Sequence, residues 1–101
     1  MHLIEIFLPI TDNQGRAFPA EKYAEVRDAL TKAFGGVTTF MRSPAEGVVR
    51  DGGENVRDDI VVFEVMTDTL KRERWAIYRK ALEKEFAQDE ILIRATAIER
   101  L

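Results

Sequence analysis

The hydrophobic rhythm of this chain changes in a fixed order, period two, then 3.6, then two, two, 3.6 and two again, and that order constrains the fold more than any single motif. It reads β-α-β-β-α-β along 101 residues. Such an order specifies an α+β sandwich, a split β-α-β unit in which one antiparallel sheet of four strands is covered on one face by two helices. Strand order 4-1-3-2 follows from right-handed crossovers. The length fits one domain, residues 1–101, with one core.

The first strand is expected over His2 to Ile10, ending at the turn cluster Thr11-Asp12-Asn13-Gln14-Gly15. Pro19 suits a helix start, and Tyr23, Val26, Leu30, Ala33 and Phe34 recur at helical spacing until Gly35-Gly36. Val37 to Arg42 reads as the second strand. Ser43 to Gly53 then breaks the pattern and is expected to form a long or irregular hairpin arm. Asp59 to Met66 is the third strand, rich in β-branched residues. Asp68 or Thr69 is expected to cap a second helix whose apolar stripe is Trp75, Tyr78, Leu82 and Phe86. Ile91 to Ile98 is the fourth strand.

Alternation assigns each strand two faces. Ile4, Ile6 and Leu8, with Val61, Phe63 and Val65 and with Ile91, Ile93 and Ala95, form the wholly apolar face that should meet the helices. The opposite face carries Leu3, Glu5 and Phe7, then Ile60, Val62, Glu64 and Met66, then Leu92, Arg94, Thr96 and Ile98. A solvated sheet face is normally more polar than this, so a subunit interface or the wall of a ligand cavity is expected there. Within that apolar field Glu5, Glu64 and Arg94 are costly to bury without partners.

These three charges support two readings. In the first they line a pocket, where a desolvated carboxylate acts as general acid or base, Arg94 holds an anionic group, and Phe7, Phe40 and Met66 form the apolar wall. In the second, Arg94 pairs with Glu5 across adjacent strands and Glu64 meets a second subunit, locking the register of a homodimer. The corresponding functions are a homodimeric small-molecule-binding domain, with a cofactor-free enzyme among its forms, and a non-catalytic interaction module.

Other classes find little support. With 18 acidic and 15 basic residues the net charge of −3 exerts no general attraction on nucleic acid or anionic membrane. There is no cysteine, hence no thiolate nucleophile, cysteine zinc site or iron–sulfur cluster. Asp51, Glu54, Asp58 and Asp59 do not follow calcium-loop spacing, and Gly52-Gly53 lacks the surroundings of a phosphate cradle, so neither metal nor nucleotide cofactor is expected. His2, the one histidine, has no triad or zinc partners at recognisable spacing. The loops at Asp12–Arg16 and at Glu46–Asp59 are secondary candidates for closing over a site, and Tyr78-Arg79 for a pocket rim. Glu5 interrupts the first apolar run, which argues against a leader or membrane span and favours a cytoplasmic address.

Three stretches carry a family resemblance: Phe34-Gly35-Gly36-Val37-Thr38, Pro44-Ala45-Glu46-Gly47, and Tyr78 through Phe86-Ala87-Gln88-Asp89-Glu90. They are similar to those of a small bacterial family, and the whole chain resembles the ferredoxin-like class and, through its apolar open sheet face, the dimeric α/β-barrel superfamily. That resemblance implies two sheets packed face to face. The superfamily includes cofactor-free monooxygenases, isomerases, dehalogenating enzymes and haem-degrading enzymes. Their catalytic histidine and asparagine patterns are not recognisable in this chain, and no catalytic residue is carried over.

Overall fold

The structure, a computed structural model, describes residues 1–42, 50–51, 54–55 and 60–101. Its elements are β1 (His2–Pro9), α1 (Ala20–Phe34), β2 (Thr38–Arg42), β3 (Arg50–Asp51), β4 (Glu54–Asn55), β5 (Ile60–Thr67), α2 (Arg72–Glu85) and β6 (Ile93–Ala97). Four strands form an antiparallel sheet in the order β2-β5-β1-β6, which is the expected 4-1-3-2 order. β3 and β4 pair with each other, apart from that sheet. The remainder of the expected hairpin arm, Ser43 to Val49 with Gly52-Gly53, lies outside the described residues. Among those described, no helix is long and apolar enough to cross a membrane.

The helix-facing side of the sheet behaves as its alternation requires. Ile4, Ile6 and Leu8 of β1 and Val61, Phe63 and Val65 of β5 are buried, and they meet Val26 and Leu30 of α1 and Leu82 and Phe86 at the end of α2. Phe86 is the hub of this layer, edge-on to Phe18 at 5.1 Å and tilted against Tyr23 at 5.6 Å. Trp75 stacks on Phe34 at 5.3 Å and so closes the far end of the two-helix layer.

Two local expectations are corrected. Neither Asp68 nor Thr69 caps α2: the helix begins after Lys71, with no side-chain cap. The Thr67 hydroxyl donates to the Thr69 carbonyl at 3.0 Å, holding 67–69 in a bend, so the helical ladder starts later, with the Trp75 amide on the Lys71 carbonyl. The fourth strand is shorter than expected, beginning at Ile93; Ile91 before it is buried and Ile93 partly so, but Ala95 is exposed, lining a groove that separates β6 from α2. The Ile91 amide donates to the Glu83 carboxylate at 3.0 Å, which fastens the entry of β6 to α2.

Candidate functional site

Register places the charged residues in one row. Across the open face, Arg94 of β6 lies opposite Glu5 of β1, Glu5 lies opposite Glu64 of β5, and Glu64 lies opposite Thr38 of β2. The flanking rows are apolar. On one side run Phe40, Val62 and Phe7, with Leu92 continuing the row through the Phe7 amide on its carbonyl; on the other run Met66 and Leu3, next to Thr96. All six candidate residues, Glu5, Phe7, Phe40, Glu64, Met66 and Arg94, therefore share a face.

Three of them make a built cluster. Arg94 Nε donates to Glu5 Oε1 at 2.8 Å, and its guanidinium carbon stands 4.8 Å from the centre of the Phe7 ring. The ion pair and the cation–π contact hold Arg94 from two directions. Glu5 is the inner member, its side chain 13% exposed against 51% for Arg94. Sequence reasoning placed Phe7 in an apolar wall; the structure makes it the platform on which the guanidinium rests. Period two places it on the same face as Arg94, but the diagonal contact itself is not encoded in the pattern.

The opposed pair Glu5 and Glu64 is unusual, since like charges directly across a sheet destabilise it. Arg94 offsets this for Glu5. Around the row, Phe40, Met66 and Leu92 remain 46%, 48% and 53% exposed, a large apolar area for one face of a small sheet. Val62, at the centre of the face, is already covered within the single chain.

The secondary candidates belong to the helical layer. Asp12 folds its loop by accepting from the Gln14 and Arg16 amides at 2.8 and 2.9 Å, and Asn13 Nδ2 donates to the Ala87 carbonyl beyond α2. That loop is fastened away from the row. The half-buried Tyr78 lines a groove of about 320 Å³ between α1 and α2, and Arg79 pairs with Glu83 at 3.5 Å. Burial pushes the Tyr78 phenol above its ordinary pKa of 10. The Glu46–Asp59 loop falls largely outside the described residues.

Among known proteins, no family model matches the chain, and no curated sequence matches it. Its architecture is nevertheless similar to solved structures of a phage SAM lyase. The lyase in complex with S-methyl-5'-thioadenosine superimposes with a TM-score of 0.58 at 14% sequence identity, over 94% of this chain and 79% of that one. The lyase in its apo state superimposes with a TM-score of 0.61 at 16% identity, over 94% and 78% of the two chains. At these identities the likeness is one of fold, a small α+β sandwich that in the lyase holds a small ligand.

Proposed function

We propose that this chain is a small-molecule-binding domain that works as a homodimer, in which two open sheet faces come together and enclose a pocket around the Arg94–Glu5–Glu64 row. The carrying observation is that row: two carboxylates and a guanidinium aligned across three strands, bordered above and below by exposed apolar side chains. A flat face becomes a pocket when a second surface stands over it, and the exposed Phe40, Met66 and Leu92 supply the apolar area for that contact. A small organic molecule with an acidic group suits the row. Arg94 spends its Nε on Glu5, leaving the paired terminal nitrogens of a half-exposed side chain for a ligand carboxylate or phosphate. The complex of the phage lyase with S-methyl-5'-thioadenosine supports a small-molecule role for the fold and adds an adenosine thioether to the ligands worth testing.

Thermal unfolding in the presence of S-methyl-5'-thioadenosine and a series of small mono- and dicarboxylates tests this reading. A ligand at a hundredfold excess over its Kd adds about 2.7 kcal/mol of stability by mass action. The expected result is stabilisation by one chemical class, abolished in Arg94→Gln while that variant stays folded. A stabilising ligand that acts equally on Arg94→Gln contradicts the site. A chain that no member stabilises, whose sheet faces are filled wholly by each other, is instead an interaction module, the reading favoured by the direct 2.8 Å cross-strand pair.

A further inference from the structure

β6 is one of the two edge strands of the sheet and is sparsely covered. It pairs with β1 on one side and has no strand on the other among the described residues, and after Ile93 its residues are exposed on both faces. An edge strand of this kind presents a row of backbone N–H and C=O groups ready to accept another strand. Natural edges are usually blunted by inward charges, proline or a covering helix. Here Ala95 and Ala97, on the helix-facing side, are small and exposed, and α2 stands back from them.

What stands beside that edge is basic. Between α2 and β6 runs a groove of about 280 Å³ whose sheet side includes Ile4 and Ala95 and whose helix wall carries Arg72, Ala76 and Arg79. Arg72 has no ion pair among the described residues. Arg79 has a long one, 3.5 Å to Glu83, and that carboxylate is already engaged by the Ile91 amide at 3.0 Å. At 3.5 Å, and with its carboxylate also accepting from the Ile91 amide, this pair leaves the Arg79 guanidinium with donors to share. The two arginines are seven residues apart, about 10 Å along the helix. Residues on one face of a strand recur every 7 Å or so, so the pair can serve two or three successive same-face carboxylates. On the opposite face the neighbours are Leu92, Thr96 and the aliphatic stem of Arg94, whose head is held by Glu5 and Phe7.

We infer that β6 is a docking edge for an extended peptide segment of alternating acidic and apolar residues, which adds as a fifth strand with its carboxylates toward Arg72 and Arg79 and its apolar side chains continuing the open face. Backbone hydrogen bonds supply the affinity and the arginines select the sequence, as strand addition works generally. The inference does not depend on the pocket proposed above, because the strand edge and the two arginines that select the segment, Arg72 and Arg79, lie outside the charged row.

The test uses a fluorescein-labelled, capped heptapeptide, Glu-Val-Glu-Val-Glu-Val-Glu, titrated with the full chain and followed by anisotropy. Two further peptides carry N-methyl groups on the valines only or on the glutamates only. A strand offers alternate N–H groups to opposite edges, so one methylated peptide is expected to lose binding and the other to keep it. Replacing Arg72 and Arg79 together by alanine is expected to weaken the unmodified peptide about tenfold. Equal binding of all three peptides, equal binding to the arginine variant, or no saturable binding to the native chain overturns the inference.

Discussion

Glu5 sits between a like charge on one neighbouring strand and an opposite charge on the other, and this asymmetry is what marks it as more than a surface residue. The Arg94 link at 2.8 Å is geometrically good yet half exposed, so its stabilisation is at most about 1 kcal/mol and does not by itself explain two charges on an apolar face. Elsewhere, burial alone perturbs side chains. The phenols of Tyr23 and Tyr78 are both pushed above 10 by desolvation, and Tyr23 also donates its hydroxyl to the Pro9 carbonyl at 2.6 Å. A raised folded-state pKa means that the folded chain holds the proton more tightly than the unfolded chain. The associated stability is therefore complete below pH 10 and is lost as pH rises through the raised folded values. The urea midpoint is expected to fall between pH 8 and pH 11 for the native chain and to fall less for Tyr78→Phe. An equal fall in both would show that the Tyr78 phenol ionises as freely folded as unfolded.

At the scale of elements, boundaries are set by identifiable residues. Gly35 closes α1 in the left-handed conformation, φ 80°, with its amide on the Thr31 carbonyl at 2.8 Å. A methyl group there meets nothing within 4 Å, so the cost of Gly35→Ala is backbone strain without a clash, about 1 kcal/mol. A shift of the urea midpoint to lower concentration checks this; an unchanged or higher midpoint contradicts it. This end of the helix was legible in the sequence because glycine is the residue such a cap needs. The parity of β1 and β5 was legible too, since Ile4, Ile6 and Leu8 with Val61, Phe63 and Val65 leave one register that buries them all. The start of α2 was not. Asp68 and Thr69 carry capping side chains, but the Thr67 hydroxyl fixes a bend at that point, and a competing local hydrogen bond is invisible to a propensity rule. Nor does alternation say how far a helix reaches over a strand, which is why Ala95 reads as core and is exposed.

For the whole molecule, the decisive property is the difference between the two faces of one sheet. The covered face supplies the core, with Phe63, Phe86, Ile6 and Leu8 essentially sealed from solvent. The open face keeps Phe40, Met66 and Leu92 in water while holding a charged row in register. Period two put Glu5, Phe7, Glu64, Met66 and Arg94 on that face, with Phe40 named only for its apolar wall, and strand order made the Arg94–Glu5 pair one of two readings without setting its register. The Phe7 platform beneath Arg94 was not legible, because a diagonal cation–π contact depends on side-chain direction that the pattern does not encode. The likeness to the phage SAM lyase rests on the same architecture, with 14–16% identity, and leaves the row to this chain's own residues. Burying the open face against a second copy removes the exposed apolar area and turns the row into the wall of a pocket. Solution mass measured by size-exclusion chromatography with light scattering, over a dilution series, tests that claim most directly. The account predicts a mass of twice the 11.6 kDa of one chain, shifted toward the single-chain value by Met66→Asp on the open face. A native chain that runs at 11.6 kDa at every concentration would contradict it.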